Sequence, residues 1–172
     1  MVLDQDYYEH GWNVYHKEKE GSPDEVIAKL KEACTYLVDE VVEVDGLRIF
    51  GSPRSPEFMG WAFPVFPDDL RYWDRSMHKA CGTQPVDVVV THGPVPGHGS
   101  VCDNGADAGD KFLIQTLQTK YIPALSVAGH VHEGYGCTDD KETGTVFVNA
   151  SSVDRLYRKT NRCIVVDIAV PN

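Results

Sequence analysis

Three histidines in two short motifs are the residues best suited to chemistry. His92 stands in Thr91-His92-Gly93-Pro94, directly after the apolar run Val88-Val89-Val90. His130 and His132 stand in Gly129-His130-Val131-His132, directly after Leu125-Ser126-Val127-Ala128. Neutral imidazole is a good ligand for divalent transition metals, and three imidazoles meeting at one edge could hold such an ion. In an extended chain His130 and His132, two residues apart, would project to the same face. A lone His beside Gly is more often an ordinary hydrogen-bonding loop residue. His10, His16, His78 and His98 are read that way.

The surrounding elements must bring the two motifs together. Three apolar runs read as strands: 86–90, 124–128 and 145–148. A helix is expected over about 109–120, stopped by Pro123. A strand–helix–strand unit of this length predicts parallel neighbours, with His92 and His130 side by side at the carboxyl ends, where open α/β sheets collect ligands. Upstream, Ser22-Pro23-Asp24-Glu25 carries a helix start, with Ser as N-cap and Pro in the first turn. Val26, Ile27, Leu30 and Cys34 follow at helical spacing, so a helix is predicted over 23–34. Asp45-Gly46 between two β-rich runs predicts a tight hairpin. Residues 51–67 read as a long ordered loop whose Trp61, Phe63 and Phe66 need burial, residues 68–80 as a helix, and residues 162–168 as the last strand. The class is α/β with a mixed sheet.

The chain has 172 residues, enough for a single domain spanning 1–172. Its formal net charge of −10 disfavours a nucleic-acid polymer or an anionic membrane as partner. A small phosphate ester stays open, because a bound dication reverses the field inside a pocket. No apolar run approaches the roughly 20 residues of a membrane-spanning helix. The first residues have neither the basic nor the apolar region of a signal peptide, so a cytoplasmic setting is expected. Five scattered cysteines without a Cys-x-x-Cys pair read as reduced thiols.

Other His-x-His chemistries fail on neighbouring residues. A cupin-type site needs Glu a few positions after the second His, where Tyr135-Gly136-Cys137 stand. A metallo-β-lactamase-type site needs Asp at the position of Gly134. The chain resembles instead the calcineurin-like metallophosphoesterases, whose last two metal motifs are a strand-end His and a Gly-His-x-His. Gly51-Ser52-Pro53, Phe58, Trp61-Ala62-Phe63, Glu133-Gly134-Tyr135-Gly136 and Val148-Asn149-Ala150-Ser151 extend the likeness to a subgroup of metallophosphoesterase-domain-containing proteins, over about 36–168.

The resemblance implies a sandwich of mixed β-sheets flanked by helices and hydrolysis of a small phosphate ester, most readily a phosphodiester, at a two-metal site. It places His92 and His130 on one metal and His132 on the other. Gly93, Gly129 and Gly134 would allow close backbone approach at the rim, and Glu133 and Asn149 would support rather than ligate. The family's earlier motifs are Asp-x-His, Gly-Asp and Gly-Asn-His, and they carry the bridging carboxylate and the catalytic His. None stands in the required order, since Gly109-Asp110 follows His92 and opens a helix. The expectation is therefore the C-terminal half of the domain, holding at most one of the two Mn, Fe or Zn ions. Its partner would be a complementing N-terminal half or a second copy of the chain. The competing expectations are a non-catalytic remnant that binds one metal or a partner chain, and a single-zinc hydrolase on three histidines.

Overall fold

The computed structural model describes residues 3–11 and 21–170, so the reading of His16 lies outside the described residues. After a short turn of helix at Tyr7–Gly11, helix α1 covers Pro23–Ala33. Asp24 and Glu25 complement the positive end of its dipole. Ser22 precedes it in extended backbone but makes no side-chain cap bond, and the first helical bond runs from the Val26 N–H to the Ser22 carbonyl (3.1 Å).

Strands β1 (Glu40–Val44) and β2 (Leu47–Ser52) form the expected hairpin. Asp45 and Gly46 supply the two positive φ angles, 50° and 81°, that its two-residue turn needs. Then come β3 (Ser55–Pro56), β4 (Pro64–Val65), α2 (Tyr72–Cys81) and β5 (Val88–Thr91). Helix α3 (Lys111–Thr116) runs on into a wider turn at Leu117–Tyr121 and is followed by β6 (Leu125–Ala128), β7 (Gly136–Asp139) and β8 (Val146–Asn149). The six-stranded sheet has the order β1-β2-β5-β6-β8-β7, with parallel pairing from β2 to β8 and an antiparallel strand at each edge. β3 and β4 make a separate two-residue pair.

One face of the sheet carries Phe50, Val89 and Phe147. Against it, α2 sets Trp73, Met77 and Cys81, and the α3 segment sets Leu113, Leu117 and Tyr121. Both triplets step by four residues, one stripe per helix. Buried Asp110 ties the layers together at the start of α3. Its Oδ1 accepts from the N–H groups of Phe112 and Leu113 (2.9 and 3.0 Å), and its Oδ2 accepts from Trp73 Nε1 (2.6 Å).

The opposite face, built on Val88, Leu125 and Val148, is covered differently. Residues 162–168 have no regular secondary structure, and Ile164, Val166 and Ile168 pack inward while Val165 is 86% exposed. This period of two misled the sequence reading. The segment lies across the face, and among the described residues its backbone pairs with no strand, so it is not a strand of the sheet. The cover is partial: Val90, on an inner strand, stays 40% exposed.

Three further expectations change. Residues 51 and 52 belong to β2, and within the following loop Trp61 and Phe66 are 37% and 55% exposed rather than buried. The second helix begins at Tyr72, after turns that return Asp69 N–H to Phe66 and Tyr72 N–H to Asp69. Strand β7 was not anticipated, because Gly136-Cys137-Thr138-Asp139 has no apolar alternation. Among the described residues no helix is long and apolar enough to cross a membrane.

Replacing Asp110 with Ala removes a helix cap and leaves the Trp73 N–H buried without a partner. The expected loss is about 2–4 kcal/mol in urea unfolding, and Asp110→Asn should lose nearly as much, because an amide that caps with its oxygen turns its NH2 donor onto the Trp73 N–H.

Candidate metal centre

Parallel strands β5 and β6 deliver the first two histidines. β5 ends at Thr91, whose Oγ1 donates to the Gly93 carbonyl (2.9 Å) and turns the chain behind His92. β6 ends at Ala128, and the Gly129 N–H then donates to the His92 carbonyl (3.0 Å), carrying the pairing one step past both strands. His130 is forced into left-handed backbone, φ 67°, which costs a non-glycine residue on the order of 1–2 kcal/mol. The chain here is therefore not extended, contrary to the sequence reading.

The result is that His92 Nε2 and His130 Nδ1 lie 3.1 Å apart, with ring centroids at 4.7 Å. Two imidazole nitrogens on one tetrahedral zinc, each bonded at 2.0–2.1 Å, would stand about 3.3 Å apart, so this pair fits a shared ion. His92 keeps solvent exposure, yet partial desolvation by the surrounding protein, and then the neighbouring His130, sets its imidazole below the ordinary pKa. Burial, and then His132, does the same for His130. Both shifts favour the neutral, metal-binding form of the ring.

His132 opens the short turn His132–Gly134 and packs edge-on against Tyr157, with centroids 5.1 Å apart. It lines a cavity of about 510 Å³ together with His130. Among the described residues, no group of three His, Cys, Asp or Glu side chains converges on one metal position. The structure thus joins His92 to His130 and leaves His132 beside that pair.

Buried Asn149, at the end of β8, holds the loop that carries His130 and His132. Its Nδ2 donates to the carbonyls of Gly99 and Val131 (both 2.8 Å), and its Oδ1 accepts from the Ser151 N–H (3.0 Å). Gly134 is pressed against Gly99: a Cβ on Gly134 would sit 1.9 Å from the Gly99 carbonyl oxygen. No such crowding exists at Gly93 or Gly129, where a Cβ would meet nothing nearer than 3.4 and 3.7 Å. Glu133 accepts from the Asp103 N–H (3.2 Å), in a supporting position. His98 is satisfied by Thr138 Oγ1 (2.8 Å) and stacks on Phe147, and His10 bonds to Asp6.

Sequence reasoning missed the aromatic wall of the cavity. Trp61 lies edge-on to His130 (5.9 Å), and Phe58 edge-on to Trp61 (5.5 Å). Two neighbouring aromatics in a Gly/Pro-rich loop were a signal for such a wall. Tyr157 gave no signal.

No family model matches the chain. "Metallophosphoesterase domain-containing protein 1" of Homo sapiens is 37% identical over 150 residues, 86% of this chain. A UPF0046 protein of Caenorhabditis elegans is 36% identical over 135 residues, 78% of this chain. The chain belongs to the metallophosphoesterase family. This metallophosphoesterase-family chain spans less than half of each of those two relatives, 44% of the human one and 33% of the worm one. A solved structure with 16% identity superposes with a TM-score of 0.57 over 75% of this chain and 51% of its own, a likeness of fold. The mixed sheet flanked by helices agrees with a calcineurin-like architecture.

Two outcomes follow for the metallophosphoesterase-family chain without metal. Folding depresses the proton affinity of His92 and His130, so between their lowered pKa values and the ordinary imidazole value of about 6.5 the unfolded state binds more protons. That stability is present above the ordinary value and is lost as pH falls below it. Urea midpoints recorded across this window should decline with acid, and less steeply in His92→Gln. Gly134→Ala should lose about 1–3 kcal/mol or more, because the Gly99 carbonyl blocks the methyl.

Proposed function

We propose that this chain contributes the strand-end histidines of a metal-dependent phosphodiesterase acting on a small phosphate ester. The facing imidazoles of His92 and His130, 3.1 Å apart, carry that reading. We assign them to one Mn, Fe or Zn ion, and His132 to a second ion whose remaining ligands come from further polypeptide. A divalent ion would supply Lewis-acid stabilisation to a phosphoryl oxygen. His92 and His130 would hold their ring nitrogens toward it, and Asn149 would keep the loop of His130 and His132 in place. The net charge of −10 supports a small ester over a nucleic-acid polymer. Five free cysteines support a reducing, cytoplasmic setting.

The partly covered sheet face and the unpaired segment 162–168 support completion of the domain by a further polypeptide, either an N-terminal half or a second copy of the chain. A second reading, a non-catalytic chain that holds one metal or a partner, draws on the absence of a three-ligand group among the described residues.

Elemental analysis of chain expressed with manganese, iron and zinc should find one metal per chain. His92→Ala and His130→Ala should abolish it, whereas His98→Ala should keep it. Hydrolysis of bis(p-nitrophenyl) phosphate should appear once the complementing polypeptide is supplied and fall about 100-fold or more in His92→Ala. Full metal retention in both ligand variants would sink the proposal. Stoichiometric metal without hydrolysis in the completed protein would favour the second reading.

A further inference from the structure

The cavity beside His130 and His132 is walled by Phe58, Trp61 and Tyr157, three aromatics that add little to the core. Tyr157 is 78% exposed. Its backbone is nonetheless left-handed, φ 59°, a conformation that disfavours an aromatic residue. A dense set of bonds holds it there. Asp154 Oδ1 accepts from the N–H groups of Leu156 and Arg158 (2.8 and 3.1 Å), and its Oδ2 accepts from Arg158 Nε (2.7 Å). The Tyr157 N–H donates to the Asp154 carbonyl (2.8 Å), and the Asp154 N–H to the Arg158 carbonyl (3.0 Å). Arg155, between them, is ion-paired with Asp103. A turn so heavily bonded, holding an exposed side chain in strained backbone, gains nothing for the core. It fixes one ring edge-on to His132 at 5.1 Å.

Around Trp61, which lines the same cavity, Met59, Gly60 and Phe63 also have positive φ (52°, 67° and 57°). They shape the loop that carries Trp61 edge-on to His130. Each candidate ligand of the Gly129-His130-Val131-His132 motif therefore has an aromatic partner that lines the same cavity. The cavity's charged lining is mainly acidic: Glu57, Asp107 and Glu133 against Arg155, whose charge is already answered by Asp103. Such a lining repels an organic group bearing further phosphates or carboxylates.

We infer that Trp61 and Tyr157 form a specificity clamp for a planar, uncharged aromatic group on the phosphate ester. This rests on the phosphoester reading above and deepens it. The ester's single phosphoryl group would face the histidines, and its aromatic group would lie in the cavity between the two rings. Stacking on protein aromatics is strong enough to make an aryl ester bind about tenfold or more tightly than an alkyl ester of equal charge.

The test is calorimetric titration of the zinc-loaded chain with phenyl phosphate, methyl phosphate and inorganic phosphate. The expected affinity ratio of phenyl over methyl phosphate is about 10 or more. Tyr157→Ala should bring it toward 1, and Tyr157→Phe should retain it, because the ring rather than the hydroxyl does the stacking. Equal affinities, or a ratio unchanged in Tyr157→Ala, overturn the clamp. Failure of all three ligands to bind counts against the phosphoester reading, and the clamp is then judged separately. In metal-free chain, NMR titration with benzyl alcohol should shift the Trp61 indole and Tyr157 ring signals together. Absence of those shifts overturns the clamp on its own.

Discussion

Parallel hydrogen bonding between β5 and β6 sets the position of everything else at the site. Val88, Val89 and Val90 stand opposite Leu125, Ser126 and Val127, and the bond from Gly129 to the His92 carbonyl continues that register into the loops. Two imidazoles 38 residues apart in sequence thereby face each other at 3.1 Å. A slip of one residue would shift one strand by about 3.3 Å, as far as the whole gap between the two nitrogens, and would turn its side chains to the other face. The register in turn is held by the core. Val89 on β5 must meet Phe50 and the helix stripe of Trp73 and Met77, while Val88 must meet Leu125 on the opposite face.

The two faces of the sheet are treated unequally, and this shapes the electrostatics as well as the packing. Helices α2 and α3 cover one face completely enough that Phe50, Val89 and Met77 lose all contact with solvent. On the other, alternate residues of segment 162–168, which has no strand partner among the described residues, pack against Val88, Leu125 and Val148. At the edge between them sit two imidazoles in an acidic molecule. Partial desolvation that lowers the proton affinity of His92 and His130 suits them to a cation rather than to a phosphate directly. Asn149 and the contact of Gly99 with Gly134 then make the second histidine loop rigid, so the strained φ of His130 persists.

Much of this was legible in the residues. The β5–α3–β6 unit, its parallel pairing and the meeting of His92 with His130 follow from apolar runs ending in Thr-His and Gly-His and separated by one helix. The Asp45-Gly46 hairpin was equally plain, because positive φ at two successive positions selects those residues. Three things were not. Residues 162–168 alternate like a strand, but alternation reports a half-buried extended chain and not which backbone it pairs with. The left-handed turn at His130 overrode the expectation that positions 130 and 132 project alike, since no local signal marks a His forced past the end of a strand. Tyr157 was invisible as part of a site, because an exposed aromatic acquires meaning only from what the fold sets beside it, here His132.

One pair of ring nitrogens decides whether the two strand ends share an ion, and long-range ¹H–¹⁵N NMR of the histidine rings reads them directly. On titration with zinc, His92 Nε2 and His130 Nδ1 should move to metal-bound shifts together, at the same zinc concentration, while their other ring nitrogens remain protonated. Zinc binding through the opposite nitrogens, through only one of these two rings, or through neither would contradict it.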